Sequence, residues 1–205
     1  MRRGLARADS LSLDPHKWLF VPIDTSCLLV RDGDHMRRFF TLVPEYLKVS
    51  EAESRGALPN PMEHTIELTR RMRALRIWMT LKVYGLHAIQ ERIEEHLQLA
   101  KELATWVESA PRYELLAPVM TSVVCFRRVP ARSATGAALD ELNEEIMARL
   151  NARDGLAMSH CRLGGSFSLR VCITHLRTKK EHVEHLWQVL NEVSEEVEKE
   201  MDLAD

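Results

Sequence analysis

From Ile66 onward apolar residues return at helical spacing: Leu68, Met72, Leu75, Trp78, Met79 and Leu81, then, beyond Gly85, Leu86, Ile89, Ile93, Leu97, Ala100, Leu103 and Val107. Residues three and four apart share a helix face, so this stripe commits a long stretch to helix with one buried side. The break at Gly85 leaves two readings, two helices or one bent helix. Pro111 closes the region. Beyond it the spacing predicts a strand over 122–127, a helix over 139–150, a strand over 167–173 and a final helix, the order of a small α+β domain. The last helix opens with Thr178 and Glu181 at capping-box spacing, and Val183, Leu186, Trp187, Leu190, Val193 and Val197 form a face expected to lie on a sheet. The acidic end, 192–205, reads as a solvated helix end that frays.

Upstream, Ser10-Leu11-Ser12-Leu13 alternates as a strand does, and Asp14-Pro15 turns it. Residues 26–30 read as a second strand, closed by Asp32-Gly33, with a short helix over 34–40. Residues 48–63 hold Ser50, Ser54, Gly56, Pro59, Asn60 and Pro61, which predicts a mobile loop of the kind used as a lid. A net charge of −2 provides no field to gather nucleic acid or an anionic membrane, so function must reside in a local site. No apolar run reaches the roughly 18 residues of a membrane span, and the basic start lacks a signal core, so the expected address is the cytoplasm. Cys27, Cys125, Cys161 and Cys172 are widely spaced and read as reduced thiols.

Asp14-Pro15-His16-Lys17-Trp18 sets a primary amine in a turn beside an imidazole and an indole. Burial favours the neutral amine, and a desolvated lysine forms Schiff bases with aldehydes, the chemistry of pyridoxal phosphate enzymes. On spacing alone, a surface turn lysine with Trp18 as a core anchor is the more frequent reading.

The run Ala8-Asp9-Ser10-Leu11-Ser12-Leu13-Asp14-Pro15-His16-Lys17-Trp18-Leu19-Phe20-Val21-Pro22 closely resembles the lysine-bearing segment of the group II pyridoxal-dependent amino-acid decarboxylases, the family of aromatic-L-amino-acid decarboxylase. The resemblance continues through 27–32, Tyr46-Leu47, the block from Leu68 to Trp78, Tyr84-Gly85 and Leu169-Arg170-Val171-Cys172-Ile173. It implies the α/β fold of the C-terminal part of a fold type I pyridoxal enzyme: residues 1–110 as the end of the large cofactor domain with its loop, and 111–205 as a small α+β C-terminal domain. It also implies pyridoxal 5'-phosphate as cofactor and decarboxylation of an amino acid, aromatic in substrate class, to its amine and CO2. Lys17 takes the Schiff-base role, with His16 near the cofactor phosphate and substrate carboxylate and Asp14 among the cofactor contacts. The family builds its site across two subunits, so the implied partner is a second copy or an N-terminal half.

Family members extend far upstream of the lysine, and the aspartate on the pyridine nitrogen, the ring-stacking residue and much of the phosphate cradle come from that part. The family also places a proton-donating tyrosine in the loop, whereas residues 47–83 contain none. His64 falls near that place, as a catalytic acid or as a polar loop residue. The alternatives are therefore a non-catalytic remnant or half of a split enzyme serving as a dimerisation module, and an aldehyde-forming relative. Arg70, Arg73 and Arg76 share a helical face and suit either an anion or surface ion pairs. His182 and His185 read as solvated rather than as metal ligands, and Arg170 as structural.

Overall fold

The computed structural model describes residues 2–41, 61–67, 69–132, 135–153 and 155–203. The chain forms two compact units, Met1–Gly85 and Leu86–Asp205. Most of the expected loop over 48–63, and Tyr46-Leu47, lie outside the described residues.

The first unit starts with a short helix α1 (Arg2–Leu5), followed by an antiparallel ribbon of β1 (Ser10–Leu13) and β2 (Cys27–Val30), with Leu13 opposite Cys27. Between them stands a single helical turn, α2 (Pro15–Trp18). Helix α3 (Gly33–Phe40) begins where Asp32 accepts the amides of Asp34 and His35, a side-chain cap that fixes its start. A 3-10 turn (Pro61–His64) packs on α3, joined by Arg37 Nε to Glu63 at 2.9 Å. Helix α4 (Ala74–Tyr84) closes the unit at Gly85, whose φ of 78° no other residue adopts without strain. The expected helix from Ile66 begins only at Ala74. Arg73 and Arg76 are drawn to Asp24 instead of forming one helical face with Arg70.

The second unit has two layers. Its four-stranded antiparallel sheet runs β3 (Tyr113–Leu115), β4 (Val123–Arg128), β6 (Ser166–Cys172), β5 (Ser159–Leu163) in spatial order. Helices α5 (Leu86–Ser109), α6 (Ala137–Asn151) and α7 (Lys180–Glu200) cover one face. Val124, Phe126, Leu169, Leu103, Leu142, Ile146, Leu190 and Val193 meet in a continuous core. Alternation in β4 buries Val124, Phe126 and Arg128 and turns Cys125 and Arg127 to the other face. Because Leu99, Leu103 and Val107 of α5 enter this core, the compact unit starts at Leu86, whereas the boundary read from the sequence stood at residue 110.

Two sequence expectations change in α7. Its first residue follows Lys179, not Thr178, and His182 Nδ1 accepts the Lys179 amide, so His182 serves as a helix cap. The acidic end is not frayed: Val193, Ser194, Val197 and Glu198 are buried. Glu198 accepts from Arg128 Nε at 2.5 Å and Nη2 at 3.1 Å, and from Arg112 Nη1 at 2.9 Å.

Candidate active site

The loop 14–26 carries the candidate residues, and it is closed by its own polar groups. Asp14 stands in extended conformation ahead of Pro15, which needs no amide partner at a helix's first position. The Asp14 carboxylate accepts from Ser26 Oγ at 2.5 Å, joining the loop's two ends, and from Lys17 Nζ at 2.6 Å. These contacts, Lys17 foremost and Ser26 next, hold the Asp14 carboxyl below its ordinary range. The buried Thr25 carbonyl takes two donors, the His16 amide at 3.2 Å and His16 Nδ1 at 2.7 Å. A carbonyl only accepts, so Nδ1 is the donor and carries a proton. Thr25 Oγ1 in turn donates to the Pro22 carbonyl at 3.1 Å.

Downstream of the lysine, Phe20 has φ 59°, a left-handed conformation costing about 1–2 kcal/mol, held within the closed loop. Asp24 receives Arg76 Nη1 at 2.8 Å and Arg73 Nη2 at 3.3 Å, tying the loop to α4. Its carboxyl is lowered to about 2, by its own amide first and then by Arg76 and Arg73.

Asp14, His16 and Lys17 are thus brought together in one helical turn. His64 sits apart in sequence, half-buried in the 3-10 turn against α3. The expectation of a desolvated amine is corrected: the Lys17 side chain is 70% exposed and ion-paired. The ribbon that bears it explains this, since Leu11, Leu28 and Leu29 are themselves exposed and the turn has only a two-stranded support. Trp18 is half-buried, not a core anchor. Sequence reasoning missed Ser26, Thr25 and Asp24. Only Ser26 and Asp24 carried a signal, Ser26 as the polar first residue of the strand expected over 26–30 and Asp24 as an acidic residue two positions after Pro22.

A cavity of about 430 Å³ lies elsewhere, lined in the second unit by Arg112, Tyr113, Arg128, Asn191, Glu198 and Lys199. None of the sequence candidates lines it. Arg170 donates to Ser159 Oγ at 3.1 Å across β5 and β6, a structural contact.

A family model described as the pyridoxal-dependent decarboxylase conserved domain matches residues 1–129, a span that contains the whole closed loop and its lysine. The chain belongs to this family. It is 34% identical over 197 residues to the aromatic-L-amino-acid decarboxylase of Bacillus atrophaeus, covering 96% of this chain and 41% of that protein. With the phenylacetaldehyde synthase of Arabidopsis thaliana it shares 33% identity, covering 92% and 38%. The solved Oryza sativa TDC with PLP and tryptamine superposes with a TM-score of 0.86 at 34% identity, over 94% of this chain and 40% of that one. The chain therefore spans about two fifths of the length of these relatives, and over that part it has the fold of a fold type I pyridoxal enzyme.

Proposed function

We propose that this chain is the lysine-bearing C-terminal part of a pyridoxal phosphate-dependent decarboxylase whose substrate is an aromatic amino acid and whose products are the amine and CO2. The observation that carries the reading is the family match running through Asp14, His16 and Lys17, with relatives named for aromatic amino acids on both the sequence and the structure side.

The donor set suits the cofactor's reactive end. Lys17 offers an accessible primary amine, and His16 an imidazole held by Thr25. Pyridoxal phosphate, when bound, supplies an aldehyde that links covalently to an amine and a conjugated ring that takes up the electron pair left as CO2 departs. Lys17 would supply that amine, for which its ammonium must first give up a proton. Asp14 opposes that loss by holding the ammonium at 2.6 Å, and Ser26 gives the carboxylate a second partner when the amine leaves. His16, its ring fixed by Thr25, would offer Nε2 to the cofactor phosphate or the substrate carboxylate and, when protonated, would pair with it. His64 is the proposed proton donor to the product.

The same reading places the protein in the cytoplasm, working as a homodimer or with an N-terminal half. The exposed Trp78, Met79 and Val83 of α4 support a partner, and no helix among the described residues is long and apolar enough to cross a membrane.

Reductive trapping tests the assignment. Protein incubated with pyridoxal phosphate and treated with borohydride should carry one pyridoxyl group, mapped to Lys17 by peptide mass, and K17A should carry none. Equal labelling of K17A refutes the proposal. A second reading, aldehyde formation, is favoured by His64 standing where the resemblance implies a tyrosine and by the phenylacetaldehyde synthase relative. Mass analysis of the product from an aromatic amino acid separates amine from aldehyde.

A further inference from the structure

The sheet face turned away from the helices carries two cysteines that the sequence left apart. Cys125 of β4 and Cys161 of β5 are 36 residues distant, yet their Sγ atoms lie 3.8 Å apart. Both are free thiols of intermediate exposure. The two strands do not pair with each other: β6 runs between them, with Cys125 opposite Arg170 and Cys161 opposite Ser168. The thiols lean toward one another across β6, where Ser168 is fully buried.

This placement favours one class of chemistry. Residues on strands that flank a third have Cα atoms at least roughly 9 Å apart, from two strand spacings of about 4.8 Å, and these two stand opposite positions two residues apart along β6. A disulfide requires Cα atoms within about 7 Å, so direct oxidation to a cystine is disfavoured. A third atom inserted between the sulfurs removes that restriction. A pyramidal centre with bonds of roughly 2.3 Å to each sulfur at an angle of roughly 100° spans roughly 3.5 Å between them, so the sulfurs at 3.8 Å need only a small approach. Burial, and then the Cys161 contact, push the Cys125 thiol up to about 11, so it stays protonated and slow toward single-site reagents. The Arg170 guanidinium opposite Cys125 offers a positive charge once the protons leave.

We infer that Cys125 and Cys161 form a two-thiol binding site for a soft, thiophilic centre of the trivalent-arsenic class. The site is independent of the pyridoxal chemistry and lies wholly in the second unit. With an arylarsine oxide, two As–S bonds form while the two thiol hydrogens leave with the arsenic-bound oxygen as water. No oxidation state changes.

The probe is phenylarsine oxide on the full chain, read by intact mass. One equivalent should add with loss of water, resist excess mercaptoethanol and leave with dithiothreitol. Chelation by two tethered thiols should raise the mercaptoethanol needed for release by at least ~100-fold over C125S or C161S. The double variant Cys27→Ser/Cys172→Ser should keep the wild-type value. In the unmutated protein, arsenical treatment should abolish the alkylation of Cys125 and Cys161 that untreated protein shows on long incubation and leave that of Cys27 and Cys172 unchanged, a readout that does not depend on any variant folding. Release from the wild type at the C125S concentration, or alkylation of Cys125 in the treated protein, overturns the assignment.

Discussion

Replacing Glu198 with alanine should be among the most damaging single changes in the second unit. The carboxylate is 1% exposed and takes three N–H donors, two from Arg128 in a forked pair and one from Arg112. The Arg128 side chain is 5% exposed and lies over the Tyr113 ring, 4.8 Å from its centre. Truncation leaves that guanidinium buried with its charge uncompensated, whereas Arg112 is one-third exposed and recovers water. Breaking a buried pair from one side costs about 3–5 kcal/mol. For a chain of this size that corresponds to a fall in Tm of roughly 6–20 °C. Urea unfolding followed by far-ultraviolet circular dichroism measures it. Removing both charges with Arg128→Met/Glu198→Leu should recover much of the loss, because packed apolar groups replace such pairs at little cost. A Glu198→Ala protein within about 1 kcal/mol of wild type, or a double variant no better than the single one, refutes the reasoning.

Asn143→Ala should cost about 2–4 kcal/mol, since its buried amide accepts the Arg128 N–H at 2.8 Å and donates to the Arg128 carbonyl at 3.0 Å; faster hydrogen exchange at the Arg128 amide checks this. Acid should weaken the protein through His96. This ring is fully buried on α5, and burial first, then Arg92, push its pKa below the ordinary value, with Glu95 and His175 also facing it. The unfolded chain then binds the proton first, so stability is complete above roughly pH 6.5 and falls as pH drops below it, by at most ~1.4 kcal/mol per pH unit. Urea unfolding between pH 7.5 and 5 measures the slope, and an H96Q protein with an unchanged slope contradicts it.

Local pattern carried much of the fold. The apolar stripe ending at Val107 became α5, the break at Gly85 became a helix end, and the alternation near Val123 became β4. Strands β3 and β5 were not legible, because three residues are too few for a period and Ser-His-Cys-Arg-Leu at an exposed edge has no apolar alternation. The acidic end was misread because Glu198 is a surface residue by charge alone, and its partner Arg128 is 70 residues away. At the candidate site the residue types were legible and their environment was not. Asp14, His16 and Lys17 share one turn because their spacing requires it, but the amine's exposure depends on what packs over the ribbon.

By itself, the order of amino acids determined which residues share a helix face or strand face, where turns interrupt them, and which reactive groups travel together within a few positions, since these follow from backbone geometry over short distances. Tertiary structure decided the rest: that Glu198 is buried, that Thr25 holds His16, that Lys17 faces water, and that two thiols meet across a strand. Exposure and long-range pairing are set by the surfaces that come together in folding, and a local pattern contains no distance between groups far apart along the chain.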